Sequence, residues 1–208
     1  MNHTELVTAA KAYADRQDIE VSQNLDTFIL MTEARINRVL KTREQSTRIY
    51  TPTIKDQEYY TLPPDYSGMR NIQLNVGEPS STNDVISMHF VTPEQIDCKR
   101  SSSSGEVVYT IVNNQIQIYP LQDVGLTIEI VYYQKVPNLN SVNSTNWLSD
   151  SHPDIYLSGV VSQIEAFVKN YEISSSWDDR MSRSIDELEV SDISERWSGA
   201  PMVMRNVV

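Results

Sequence analysis

Apolar residues recur at helical spacing at both ends of this 208-residue chain and at strand spacing between them. A fold built from one kind of element is therefore excluded. At the N-terminal end, Thr4 can cap a short helix whose Leu6, Ala10, Tyr13 and Ala14 share a face. A longer helix is expected from about Ser22 to about Thr42, with Leu25, Ile29, Ile36, Val39 and Leu40 three to four positions apart. Phe28 flanks that stripe, Thr32 interrupts it, and Glu33, Arg35, Arg38 and Lys41 are assigned to other faces.

The pattern changes after Arg43. Ile49, Tyr50, Thr51, Thr53, Ile54, Tyr59 and Tyr60 form a β-branched and aromatic stretch, and Pro63-Pro64 imposes an extended stop. Short strands are expected at Met69–Val76 and Val85–Phe90, followed by a single helical turn with Thr92 as cap and Pro93 first. A hairpin has the firmest local signature. Val107, Tyr109 and Ile111 alternate with Val108, Thr110 and Val112, Asn113-Asn114 tolerates positive φ, and Gln115–Tyr119 returns with Ile116 and Ile118 inward. Leu126–Tyr133 adds a strand with Leu126, Ile128, Ile130 and Tyr132 on one face. The serines 101–104 before Gly105 read as an exposed, mobile loop.

Helices resume at Ser151-His152-Pro153-Asp154, which has the form of a capping box with Pro in the first turn. Tyr156, Val160, Ile164, Phe167 and Tyr171 mark one face, and Gly159 can permit a close helix–helix approach. A second start is expected at Ser174–Ser176, where Asp178 and Asp179 suit the positive end of the helix dipole, with Trp177, Met181, Ile185 and Leu188 following. Beyond Arg196 the periodicity stops, yet the tail keeps Met202, Val203, Met204, Val207 and Val208. So apolar a tail either covers its own subunit or inserts into a neighbour. The expected fold class is α+β: a helical bundle from the N- and C-terminal helices, an inserted, mostly antiparallel β-domain, and an extended C-terminal tail. The expected boundaries are 1–44 and 138–196 for the bundle, 45–137 for the β-domain and 197–208 for the tail. Such an insertion projects from the bundle and gives the molecule two unlike ends.

Chemistry is hard to find. His3, His89 and His152 lack metal-ligand spacing, and GxGxxG, GxxxxGK[ST] and GxSxG are absent. Cys98 is the single cysteine, so no intrachain disulfide forms, and a spectator thiol is expected. Carboxylates are abundant, but no spacing selects a catalytic pair. Neither a catalytic residue, a cofactor nor a metal is expected. The net charge of −11 opposes gripping nucleic acid, which needs Lys and Arg on the phosphates; it suits either simple solubility or a wall past which DNA slides. No apolar run approaches the roughly 18 residues of a membrane span, and no leader pattern opens the chain, so residence in an aqueous compartment is expected. Eleven tyrosines against three phenylalanines fit half-buried strands, with some left for a partner surface; Tyr59, Tyr60 and Tyr66 are the candidates.

Several segments together resemble a known family. They are Leu62-Pro63-Pro64-Asp65-Tyr66 with Met69-Arg70 and Ile72, the run Tyr109 to Pro120, Glu129 to Pro137 with Leu139, Thr145-Asn146-Trp147-Leu148, and His152 to Leu157. In that order they resemble the head-to-tail adaptor, or connector, proteins of tailed bacteriophages, particularly the short-tailed type, over about residues 60 to 205. The resemblance implies a structural virion protein and not an enzyme. Its subunits form a homo-oligomeric, twelvefold ring in the neck, made in the host cytoplasm and joined to the portal protein above and to a downstream tail or nozzle protein below. Double-stranded DNA passes through the lumen without specific binding, and no membrane is involved. By the same analogy the bundle forms the ring, the β-domain points to the tail, and the C-terminal tail reaches the portal, with Trp197, Pro201, Met202, Val203, Met204, Arg205, Val207 and Val208 as candidate docking residues. A ring needs two different faces per subunit, and Phe28, opposite part of the Leu25–Ile29–Ile36 stripe, is a candidate for one of them. Another neck or tail-completion protein is the alternative; a cell-wall hydrolase is a third, with no residue here onto which its site maps.

Overall fold

Asn2, two residues ahead of Thr4, starts the first helix. Its side chain accepts from the amide of Glu5 at 2.9 Å while the Glu5 carboxylate accepts from the amide of Asn2, so the box closes at Asn2 and not at Thr4. The computed structural model describes residues 1–76, 85–100, 105–122 and 125–197. In chain order these form α1 (His3–Tyr13), α2 (Ile19–Val39), β1 (Ser46–Pro52), β2 (Tyr59–Thr61), β3 (Tyr66–Val76), β4 (Val85–Ser87), β5 (His89–Phe90), α3 (Pro93–Arg100), β6 (Val108–Val112), β7 (Gln115–Tyr119), β8 (Leu126–Gln134), α4 (Trp147–Ser151), α5 (Pro153–Phe167) and α6 (Tyr171–Trp197). The fold is α+β. Two compact units emerge: Met1–Arg43 with Val136–Val208, and Glu44–Lys135. The expected serine loop at 101–104 and the apolar tail from Ser198 lie outside the described residues.

The helical unit is organised around α5. Ile155, Tyr156, Val160, Val161 and Ile164 are all essentially without solvent exposure, and α5 packs against α1, α2, α4 and α6. The stripe expected on α2 is buried at Leu25, Ile29, Ile36 and Leu40, but Val39 is 49% exposed and does not belong to it; α1 adds Leu6 and Ala10. Burying each such side chain stabilises the unit by about 1.5–3 kcal/mol. Phe28 belongs to this core: it is 5% exposed and its ring meets that of Phe167 at 5.4 Å between centroids. The candidate outward face at Phe28 is thereby corrected, since Phe28 sits at the margin of the buried stripe and α5 closes over it.

Two helix starts also differ from expectation. Asn146 caps α4 through the Ser149 amide, so Ser151 ends a helix where it was read as beginning one. His152 then breaks the path with ψ near 61°, and Pro153 opens α5 without a side-chain cap. Lys169, at φ 64°, reverses the chain after α5, and α6 begins at Tyr171. Asp178 and Asp179 therefore stand about two turns inside α6. Asp178 pairs with Arg35 of α2, whose other terminal nitrogen donates to Ser182 at 3.0 Å.

The other unit is a pair of four-stranded sheets. One runs β1-β8-β3-β4, antiparallel throughout; the other runs β2-β7-β6-β5, with β5 parallel to β6. Alternation sets the core. Ile72 and Leu74 of β3 lie opposite Ile130 and Ile128 of β8, and they pack with Tyr60, Tyr109, Ile116 and Ile118 of the second sheet. The hairpin is as read, with Val112 opposite Gln115 and Asn113 at φ 55°. The stretch 85–90 is divided at Met88: Val85–Ser87 pairs in the first sheet and His89–Phe90 in the second, with Met88 buried where the chain crosses. After Thr92, α3 runs for eight residues instead of one turn. It packs along β6, with Ile96, Val108 and Thr110 all fully buried.

Gly159 marks the tightest approach in the bundle. A Cβ there would lie 2.4 Å from the Thr32 methyl of α2 and 2.9 Å from the Met181 sulfur of α6. Gly159→Ala is expected to destabilise the protein by about 1–3 kcal/mol despite the better helix propensity of alanine. Adding Thr32→Ser, which removes the facing methyl, recovers part of that loss; urea unfolding of the two variants measures both.

Candidate interaction surfaces

The segment between the β unit and α5 is held to α2 by backbone amides that find acceptors on side chains. The Leu139 amide donates to the Glu33 carboxylate at 2.6 Å, and the Val136 amide donates to Asn37 Oδ1 at 2.8 Å, one helical turn further on. Tyr156 of α5 donates its hydroxyl to the same Glu33 oxygen at 3.3 Å. The Asn146 amide nitrogen donates to the Tyr156 hydroxyl at 2.8 Å and to the Pro137 carbonyl at 2.6 Å. Glu33 is 2% exposed. Burial pushes its carboxyl above the usual carboxylate range, opposed by the Leu139 amide and the Tyr156 hydroxyl, and burial likewise raises Tyr156. Glu33 was assigned to a solvent face in sequence. Its position four after Ile29 and three before Ile36 was the signal that places it on the apolar stripe.

A perturbed carboxyl beside a tyrosine is also what an active site can contain. Here each oxygen contact serves the backbone or the helix core, and three clefts among the described residues are lined by others: Asp154, Arg180, Arg183, Ser184 and Glu187 in one, Val7, Thr8, Lys11, Ala12 and Gln17 in another, and Arg35, Val39, Ser182, Ile185 and Asp186 in a third. Among the described residues no group of three or more His, Cys, Asp and Glu side chains is placed to hold a metal ion. None of the described helices is long and apolar enough to cross a membrane. Cys98 is exposed on α3.

The outer face of the first sheet carries a second polar cluster. Glu129 accepts from Asn75 and Gln73, each at 2.8 Å, and pairs with Arg48 at 3.1 Å. These contacts, Asn75 foremost, hold its carboxyl below the usual range. Tyr132, whose hydroxyl donates to Asp65 at 3.0 Å, is pushed up to about 12 by burial and by that carboxylate.

The three tyrosines expected on a partner surface separate. Tyr59 is 46% exposed on β2. Its neighbour Tyr60 points the other way, as alternation on a strand requires, and is buried in the core of the two sheets. Tyr60 is therefore not a surface residue. Tyr66 is half-buried, its ring 5.9 Å from that of Tyr132. Other exposed apolar side chains of this unit include Tyr50, Ile54, Val85, Phe90, Val112 and Leu121. Of the candidate docking residues in the tail, Trp197 is the last residue of α6, and Pro201, Met202, Val203, Met204, Arg205, Val207 and Val208 lie outside the described residues.

The helical unit exposes apolar side chains that the sequence reading missed. On α2 these include Ile19, Leu30 and Met31, with Ala34 beside them; on α6 they include Ile173, Val190 and Ile193. Leu30 and Met31 fall off the Leu25–Ile29–Ile36 stripe, which was the available sign.

Glu33 and Glu129 predict opposite pH behaviour. The raised pKa of Glu33 means that its contribution to stability is full below the ordinary carboxyl pKa and is lost as pH rises through the raised value. Glu33→Gln keeps an acceptor for Leu139, so its stability relative to the native protein should improve as pH rises above the ordinary carboxyl range towards neutrality. The lowered pKa of Glu129 means that its contribution is present above the ordinary pKa and lost as pH falls through the lowered one; Glu129→Gln is therefore worst at neutral pH and approaches the native protein in acid. Denaturant midpoints measured from strongly acidic pH up to neutral pH check both signs.

A family model described as SU10 adaptor protein matches residues 1–205. No curated protein gives a significant match to the chain.

Proposed function

We propose that this chain, which belongs to the SU10 adaptor protein family, forms the head-to-tail adaptor ring of a tailed phage. The ring sits in the virion neck, joins the portal protein to the next tail or nozzle component, and leaves a lumen through which the DNA passes. The carrying observation is that the family match spans residues 1–205 and so takes in both units of the fold, not a shared fragment of it. A phage adaptor protein is a structural component, and the polar clusters around Glu33 and Glu129 are accounted for by the backbone and side-chain groups that they bond.

The finer parts of the reading have physical support of their own. A closed ring, twelvefold by analogy with other adaptors, requires two different faces of one subunit to meet. The helical unit has exposed apolar side chains on several helices, Tyr13 of α1, Leu30 and Met31 of α2, Phe167 of α5 and Val190 and Ile193 of α6 among them. The net charge of −11 favours a wall that does not hold phosphates, so duplex DNA moves past without a bound state to undo. The last eleven residues, with Pro201, Met202, Val203, Met204, Arg205, Val207 and Val208 among them, together with Trp197, are the proposed contact to the portal. Tyr59, with Tyr66 at its margin, is the proposed contact of the β unit to the tail side. Synthesis takes place in the host cytoplasm.

Mixing the purified protein with the portal of its own phage and imaging by negative stain tests the assignment. An extra ring stacked on one end of the portal is the expected image. No association at high concentration overturns the reading and favours a tail-completion component. Removing residues 198–208 is expected to weaken portal binding about tenfold or more, about 1.4 kcal/mol, with the circular dichroism spectrum unchanged. Unchanged portal affinity removes the tail from the docking surface.

A further inference from the structure

Little holds α3 to the second sheet. Within Pro93–Arg100 only Ile96 is fully buried and Lys99 is half-buried; the other residues are exposed. The two ends of the helix are fastened differently. Ahead of it the ladder continues: the amides of His89 and Val91 donate to the carbonyls of Val107 and Tyr109 at 3.2 and 3.0 Å. The Thr92 amide then donates to Gln95 Oε1 at 3.1 Å and closes the first turn. At the far end, the fastenings to other elements among the described residues are ion pairs, Arg100 with Glu58 and Lys99 with Glu106 at 2.9 Å. Their side chains are 20% to 66% exposed, so such pairs hold weakly and are screened by salt. Eight residues are also too few for a helix to persist in water without tertiary contacts.

The surface under α3 is incompletely satisfied. Tyr109 of β6 points into the core between the sheets, so Thr110 points to the opposite face, where α3 packs. Thr110 is 0% exposed, yet its hydroxyl has no hydrogen-bond partner among the described residues. Gln117, opposite Thr110 on β7, is engaged elsewhere: its amide nitrogen donates to Glu58 at 2.6 Å. An orphaned hydroxyl raises the energy of the closed arrangement, and water satisfies it once the helix lifts.

We propose that α3 is a hinged strap, turning at Thr92, that lifts from β6 while both sheets stay folded. The ladder secures one end, and a single apolar peg with salt-sensitive pairs secures the other. Lifting uncovers Val108 and Thr110 on the outer face of the second sheet. The device lies wholly within the β unit and does not depend on the ring assignment.

Amide exchange of the full-length chain tests it, with a denaturant midpoint for each variant to separate local from global opening. The amides of Cys98, Lys99 and Arg100 are expected to exchange at least about tenfold faster than those of β6 and β7, and faster still as ionic strength rises. Thr110→Val removes the orphaned hydroxyl and is expected to slow exchange in α3 several-fold, with β7 unchanged. Ile96→Ala removes the peg and is expected to quicken it about tenfold or more. In a Cys98→Ser background, Thr110→Cys places a thiol beneath the strap and Ile118→Cys places one between the sheets. Under native conditions the first is expected to react with a small thiol reagent many-fold faster than the second. Equal protection of the two thiols, or α3 amides that exchange only together with those of β6 and β7, overturns the proposal. Unchanged or faster α3 exchange in Thr110→Val overturns the role given to the hydroxyl. Should a cysteine variant fail to fold, the amide rates of the native chain and of Thr110→Val decide the matter.

Discussion

A chain that leaves one unit and must enter another carries backbone amides past a helix, and those amides need acceptors once water is excluded. Two side chains one turn apart on α2, Glu33 and Asn37, provide them for Leu139 and Val136. The rest of the bundle is arranged around that requirement. Tyr156 reaches Glu33 from the middle of α5, Asn146 reaches Tyr156 while capping α4, and the Pro137 carbonyl is taken up by the same Asn146. Removing any member leaves a buried partner unmet, at about 1–3 kcal/mol for each group stranded. A charged residue is kept inside the apolar stripe of α2 for this reason, at the cost of its raised pKa.

Close packing meets the same need from the other side. Small residues on α5 let its neighbours approach until side chains bond across the backbone: Ser162 and Ser174 exchange hydrogen bonds with each other's carbonyls at 3.1 and 3.0 Å, and Thr32 sits against the bare Cα of Gly159. The ion pairs at the outer edge, Arg35 with Asp178 and Arg43 with Asp192 and Glu195, join α2 and its C-terminal extension to α6 without entering the core. Partial exposure limits what Arg35–Asp178 and Arg43–Glu195 contribute, to about 0–1 kcal/mol each, while Asp192 is itself buried. The geometry of the bundle is thus set by its centre, and the surface is left free to carry recognition.

Local signals were legible wherever the physics is local. The hairpin at Asn113-Asn114, the inward Ile116 and Ile118, and the single face of Ile128, Ile130 and Tyr132 follow from turn chemistry and a period of two. The Leu25–Ile29–Ile36 stripe and the close approach at Gly159 follow from helical spacing. Failures occurred where two signals competed. Ser151-His152-Pro153-Asp154 has the form of a cap, but Asn146 captures the Ser149 amide first and a five-residue helix is too short to show a period. Asp178 looked like a dipole partner because a charge reads as solvent-facing by default; its partner, Arg35, is far away in sequence. Tyr60 was grouped with Tyr59 by composition, and the pleat separated them. The exposed patches on α2 and α6 were hardest to see, since an apolar residue off the main stripe looks like noise until the burial of the rest is known.

Both ends of the β unit are fixed to the same helix system. Arg43 follows α2 and donates its amide to Asp192 at 3.0 Å, and Val136 donates its amide to Asn37 on α2. Everything between these two anchor points is, for the bundle, one long excursion that begins at an anchor on α6 and returns at one on α2. Such an excursion can be lengthened, trimmed or exchanged without disturbing the helices that hold its roots, because the entropic penalty of a longer loop grows only with the logarithm of its length. The arrangement is that of a cassette. Selection by a changing neighbour can rewrite the strands while the anchoring amides and their two acceptors stay as they are.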